Sequence, residues 1–432
     1  MFENLKSILS RIDEECVELT HDVLNSVDRE LAKAKGEVTS FLAGIKAHLT
    51  QYPEPIFAIL RRIKPILLFE NYALVTRFED VQEVLARDEV FLVTYGEKMR
   101  IVTGGQDFFL GMQNSPEYTR DVSHMRSVVR REDISVRVAP FVQKTAADLV
   151  AAAGKQLDVV KLSKNVPARW IADYFGCPLL SEQQVEAWGS VLFQYLFLDQ
   201  DNDPKVAQAA AKAAAAVRTW LDETIAARKA SRAVKDDVLG RCLLLQAAAL
   251  PAMDDVSIRN NLLGLIVGAI PTTSKCCTQA LDQLLQRAEQ LKAAQAAAVA
   301  DDDALLAKYV FEALRFNPNN SGVFRLAAQD YRLAKPSLHA TTIPKGTLVI
   351  AATQSAMFDD RFVEEPNDFR IDRPEYLSMH FGYGLHTCFG QYVNRVQIPG
   401  ILKPLLKSPC LRRAGELQYD GPFPSSLVVA LD

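Results

Sequence analysis

The sequence predicts a mainly α protein with a small β component, on three observations. Apolar residues recur at helical spacing through an alanine- and leucine-rich stretch from about 140 to 310. Short strand-like runs flanked by turn residues lie outside that stretch, in ILLFENYALVTRF and HATTIPKGTLVIAAT. No linker-like composition divides the chain after its first fifty or so residues.

Residues 1–50 show helical periodicity through Leu5, Ile8, Leu9 and Ile12, and are expected to form an N-terminal helical extension. Residues 51–432 are expected to form one domain. In ILLFENYALVTRF two strands surround a Glu70–Asn71 turn, and EDVQEVLARD follows as a helix. AAAKAAAAVRTWLDETIAARKA is strongly helix-forming and carries no chemistry of its own. The longest helical pattern begins at SIRNNLLGLIVGAIPTTSKCC, with Ser257 as the expected N-cap and Pro271 in its interior. There a proline removes a backbone hydrogen bond and crowds the carbonyl one turn back. HATTIPKGTLVIAAT reads as β, EEPNDFRIDRPEYL as a proline-rich loop, and VNRVQIPGILKPLLK as a last helix interrupted by Pro399 and Pro404.

With 432 residues, 49% hydrophobic, 24% charged and a formal net charge of −4, the composition is that of a globular enzyme. It has no electrostatic footprint for nucleic acid. No apolar run reaches the ~18 residues that span a bilayer. The first residues mix acids with apolar side chains and lack a signal-peptide core, so a cytoplasmic location is expected. The seven cysteines are scattered, without paired zinc-ligand spacing, and are expected to be reduced.

The strongest chemical signal is HFGYGLHTCFGQYVNR, residues 380–395. Gly382, Gly384 and Gly390 surround Cys388 and allow sharp turns and close approach of a flat ligand. A helix starting after the cysteine aims backbone N–H groups at the sulfur, which favours a thiolate. By itself the loop suits a buried structural cysteine, a nucleophile based on His386, or a metal ligand.

Phe381, Gly382, Gly384, His386, Cys388 and Gly390 together resemble the haem-binding loop of the cytochrome P-450 family, the haem-thiolate monooxygenases. The resemblance implies that family's fold, with a long central helix over haem b (protoporphyrin IX iron) and the cysteine loop on the opposite face. It makes Cys388 the axial thiolate. EALR supplies Glu312 and Arg315, neighbours on one helix face, and FRIDRP supplies Arg373. In the family such an arginine joins a buried Glu-x-x-Arg pair. Implied propionate partners are Arg325, in GVFRLA, and His386. On the helix SPEYTRDVSHMRSVVRRED, Tyr118 stands at the family's histidine position, so His124 and Arg126 are the chosen partners and Arg120 a further candidate.

On the long helix, Gly268, Ala269, Ile270, Pro271, Thr272 and Thr273 fall on the family's oxygen-binding motif. There an acid and an alcohol help deliver protons to dioxygen. The alcohol is kept as Thr272, but Pro271 replaces the acid, leaving Thr272, Thr273 and water. The resemblance therefore implies a monooxygenase acting on an apolar small molecule, with electrons from a separate ferredoxin and ferredoxin reductase. Arg130, Arg131, Lys403, Lys407, Arg412 and Arg413 are expected to form the docking face for that donor. The alternative is a peroxide-using peroxygenase or hydroperoxide isomerase, and a third reading is a haem-binding sensor. VTYGEKMRIVTGGQDFFLGM, SVLFQYLFL, Leu265 to Thr272, Val323 and PFPSSL are expected to line the substrate pocket.

Overall fold

The computed structural model describes residues 54–178, 180–199, 202–232 and 235–432, so the extension expected at residues 1–50 lies outside it. Helix α1 (Glu54–Ile63) leads into β1 (Ile66–Phe69) and β2 (Tyr72–Val75), which pair antiparallel about the Glu70–Asn71 turn. Glu70 takes the left-handed conformation there, with φ 47°. Then come α2 (Phe78–Ala86), β3 (Phe91–Leu92), α3 (Gly96–Thr103) and α4 (Pro116–Val128). The helical body comprises α5 (Ala139–Ala152), β4 (Gln156–Asp158), α6 (Val159–Trp170), α7 (Glu182–Phe193), α8 (Pro204–Ser231), α9 (Val238–Ala247), α10 (Asp255–Leu285), α11 (Ala288–Val299) and α12 (Asp303–Phe316). The wider-turned segment Gln194–Leu198 prolongs α7.

Strands β5 (Val323–Ala327), β6 (Tyr331–Leu333), β7 (Thr341–Ile343) and β8 (Leu348–Ala351) precede the short α13 (Thr353–Ala356). Beyond the cysteine loop lie α14 (Gln391–Leu406), β9 (Arg412–Arg413), β10 (Gln418–Asp420), β11 (Phe423–Ser426) and β12 (Val428–Ala430). The main sheet has the order β1-β2-β8-β5-β3, with β2 and β8 parallel. The two strands of HATTIPKGTLVIAAT do not pair with each other: β7 joins β6, while β8 sits between β2 and β5. Gly346, at φ 82°, turns the chain between them, and its N–H donates to Ala327 O over 2.8 Å.

Helix α10 runs 31 residues through the core, against α6, α7, α8, α12 and α14. Its N-cap is Asp254 and not Ser257: the Asp254 carboxylate accepts from the N–H groups of Val256 and Ser257, at 3.0 and 3.1 Å. Pro271 lies inside this helix without ending it. Pro399 and Pro404 likewise sit within α14 without interrupting it. Each costs one hydrogen bond, and the buried Ile398, Ile401, Leu402, Leu405 and Leu406 hold the helix in the core across that loss.

Candidate functional site

The loop before α14 is shaped by close backbone contacts. The Cys388 N–H donates to Phe381 O (2.9 Å), closing the turn that presents the sulfur. Gly384 has φ 74°, and a Cβ there would lie 2.4 Å from the Leu85 carbonyl oxygen of α2, so only glycine lets the loop dock. The Gly390 N–H points at the Cys388 sulfur and lowers its pKa, but burial is the larger effect and raises it. The thiol is nevertheless exposed at the surface of its recess, the only cysteine besides Cys410 so placed among the described residues.

Behind the loop, Glu312 and Arg315 pair on one turn of α12, with Arg315 Nη2 and Nε donating to the two carboxylate oxygens at 2.8 and 2.9 Å. Arg373 Nε adds a third contact to Glu312 at 3.3 Å, and the Arg370 N–H a fourth at 2.9 Å. Arg315 also donates to the carbonyls of Met357, Pro366 and Asp368. The pair is buried, so removing one partner would leave an uncompensated charge in the core.

Arg325, on β5, is 3% exposed. It donates to the Phe324 carbonyl (2.8 Å), and no carboxylate among the described residues reaches it. A buried cation in that condition calls for an anion. His386 lies near enough for Arg325 to act on it; burial first, and Arg325 second, push the imidazole pKa down to about 4, so it is neutral at pH 7. Its ring meets Tyr118 edge-on at 5.2 Å, and the Tyr118 hydroxyl donates to Leu385 O at 3.0 Å. Tyr118 is thus the residue of α4 that touches the cysteine loop. His124 is half-buried with Nδ1 unpartnered, Arg126 is exposed, and Arg120 pairs with Asp121. An open thiol, an orphaned buried guanidinium and an unpartnered imidazole nitrogen fit a flat ligand with one metal–sulfur bond and acidic arms.

Between Asn260 and Leu284 of α10 the partly exposed residues are Leu265, Gly268, Ala269, Thr272 and Cys276, a stripe at helical spacing on an otherwise buried stretch. A Cβ on Gly268 would meet nothing within 4 Å, so the stripe borders open space. Thr272 Oγ1 donates to Gly268 O (2.5 Å), and Thr273 Oγ1 hydrogen-bonds Asn394 Oδ1 (3.1 Å). Neither hydroxyl is therefore unengaged. Pro271 faces away, toward α7, with Cδ 3.6 Å from where a Cβ of Gly189 would lie. Several expected lining segments converge here: Tyr95 stacks edge-on against Phe197 at 4.8 Å, and Phe193 meets Phe423 at 5.9 Å.

Two features were not anticipated. Four of the six cations assigned to docking are spent on internal pairs: Lys403 with Asp301 and Asp303, Lys407 with Asp301, Arg412 with Asp432, and Arg413 with Asp282. They are surface lysines and arginines in the sequence, and only the tertiary fold brings acids to them. Lys275, one turn beyond Pro271, is only 8% exposed. Its signal was available: a cation three and four residues past Thr272 and Pro271 in an apolar helix.

A family model described as Cytochrome P450 matches residues 185–408. Nocardicin C N-oxygenase of Nocardia uniformis subsp. tsuyamanensis is 27% identical over 386 residues, which cover 83% of this chain and 89% of that protein. Mycinamicin IV hydroxylase/epoxidase of Micromonospora griseorubida is 25% identical over 380 residues, covering 85% and 87% respectively. Among solved structures, CalO2 aligns with a TM-score of 0.76 at 22% identity, over 89% of this chain and 97% of that one. P450BioI, solved with an acyl carrier protein carrying hexadec-9Z-enoic acid, aligns with a TM-score of 0.76 at 21% identity, over 89% and 100%. Among the described residues no helix is long and apolar enough to cross a membrane.

Proposed function

The chain belongs to the cytochrome P450 family and is a monooxygenase of its bacterial type; from that premise we propose that it inserts one oxygen atom from O2 into an apolar small molecule, using electrons from a separate ferredoxin and ferredoxin reductase. The observation that carries the reading is the open Cys388 thiol just before α14, near enough to act on Cys276 of the mostly apolar α10 stripe. The family's haem, held by a cysteine thiolate, supplies the oxygen chemistry.

In this reading Cys388 is the axial ligand, and the Gly390 N–H stabilises its charge. Arg325 and His386 hold the propionates, with His124 and Arg126 as further partners from α4. Phe381, Gly382 and Gly390 shape the loop, and Glu312, Arg315 and Arg373 brace the segment before it. Leu265, Ala269 and Phe197 orient an apolar substrate and keep water out. Of the expected docking cations, Arg130 and Arg131 form no ion pair with an acid among the described residues. A cytoplasmic location belongs to the same proposal, supported by the free thiols of Cys177, Cys242, Cys276 and Cys277.

One observation favours the peroxide-driven alternative: Pro271 carries no acid, and the Thr272 hydroxyl is committed to Gly268. A peroxide brings its own protons, so such a reaction needs less from this wall. The two are separated by comparing product from hydrogen peroxide alone with product from ferredoxin, its reductase and NADPH. The haem-thiolate assignment itself is tested by the reduced carbon-monoxide spectrum; a spectrum without the thiolate signature, or one unchanged in Cys388→Ala, would overturn it.

A further inference from the structure

Lys275 is a charged side chain that no role discussed so far uses. It is 8% exposed, and among the described residues it has neither a hydrogen bond nor an ion pair. A buried ammonium without an acceptor is costly, and such groups persist where they serve a function.

Its position on α10 is specific. At 100° per residue, Lys275 falls about 20° from Gly268 around the helix and about 60° from Thr272, at the edge of the open stripe. Long helical side chains lean back over the preceding turn, which carries the Lys275 stem over Pro271 and Thr272 toward the open space at Gly268. Four ionisable groups on the helices packed against α10 are engaged elsewhere. Glu186 on α7 pairs with Lys164 on α6, Asp222 on α8 with Arg259, Glu312 on α12 with Arg315, and Lys403 on α14 with Asp301 and Asp303. Only the Cys276 thiol acts on the charge of Lys275.

We infer that Lys275 is the proton-relay residue of the distal wall, supplying from one turn further along α10 the protons that no acid at position 271 can provide. The inference rests on the oxygen-driven reading above. That reaction joins O2 and substrate R–H with two electrons and two protons to give R–OH and water, so protons must reach the site. The Lys275 ammonium gives a proton to water beside Gly268, which passes one to oxygen; the neutral amine then takes a replacement from solvent. Burial supports the role by lowering the lysine pKa to about 8, within the range where an amine exchanges protons readily at neutral pH.

The test uses the haem-loaded enzyme with ferredoxin, its reductase and NADPH, and a probe mixture of dodecanoic acid, testosterone and a macrolactone. The readout is the partition of NADPH electrons between hydrogen peroxide and water plus product, followed from pH 6 to 10. Lys275→Met and Lys275→Arg should both keep the carbon-monoxide signature yet lose flux to water and product on the order of 10²-fold. Lys275→His should recover part of it, with the alkaline limb moved to lower pH. Independently of turnover, the 13C signal of reductively methylated Lys275 should titrate well below that of surface lysines. A Met variant that keeps the wild-type partition at every pH, or an amine titrating with the surface lysines, overturns the inference while leaving the monooxygenase reading intact. Wild-type enzyme that forms product from peroxide alone and none with ferredoxin, its reductase and NADPH overturns both.

Discussion

The two walls that meet at the candidate site are built on opposite principles. Behind the cysteine loop the charges of one buried pair are satisfied: Glu312 receives Arg315, Arg373 and a backbone N–H, and Arg315 spends its remaining donors on three carbonyls. On α10 the one buried cation, Lys275, has no partner among the described residues. Saturated networks hold a shape, because every displaced group loses a bond. Unsaturated ones store a demand that a ligand, water or proton can meet. The wall behind the sulfur is the over-determined one, and the wall proposed to handle oxygen holds the unpaired charge.

The largest effect expected is at the sulfur. Cys388→Ala should abolish the thiolate signature in the reduced carbon-monoxide spectrum and with it the oxygen-driven turnover, while the fold melts cooperatively as before. Next comes the bracing network. Arg373→Ala leaves the buried Glu312 with fewer donors and should lower stability by about 3 kcal/mol, read from denaturant midpoints. A loss under about 0.5 kcal/mol would show that the saturation of this wall is ornamental.

Lys275→Met should act in the opposite direction. Folded-state pKa values depressed below 10.5 mean that wild type carries the cost of a buried charge fully below pH 8, and sheds it as pH rises toward 10.5. The methionine variant should therefore be more stable at pH 7, by an order of magnitude of 3 kcal/mol, with the gap closing in alkali. Destabilisation by the same change would break the comparison between the walls. His380, half-buried beside Phe311 on the cysteine side, runs the reverse way. Burial first, then Arg315, lower its pKa to about 4, so the protein should lose stability as pH falls from 6.5 toward 4. His380→Phe should flatten that acid limb. The smallest effect is at Thr272: Thr272→Val removes one hydroxyl bond to Gly268 and should cost about 1 kcal/mol or less.

The cysteine wall was legible in the sequence because its parts are local. Glu312 and Arg315 lie three apart on one helix, and Cys388 sits amid glycines at short spacing. The α10 wall was only half legible. Periodicity correctly carried the helix through Pro271, but the sharing of Thr272's hydroxyl with Gly268 depends on rotamer and not on spacing. The N-cap fell to Asp254 because its carboxylate accepts from the N–H groups of Val256 and Ser257, which starts the helix about one turn before Ser257. Lys403 and Lys407 read as docking cations since nothing local shows that Asp301 and Asp303 fold back onto α14. Pro399 and Pro404 read as breaks because propensity knows nothing of the core that surrounds them.

Gly384 carries a consequence for how inherited variation in this protein would be interpreted. The loop bearing the sulfur rests on the last turn of α2 because one atom is missing, the Cβ that would sit 2.4 Å from the Leu85 oxygen. Residue 384 need touch no ligand and carry no charge for its replacement to unseat the ligating atom. A genotype such as Gly384→Ala would present as a failure of cofactor uptake while every cofactor-contacting residue remained wild type. A survey that scores alleles by proximity to the prosthetic group would file it as silent.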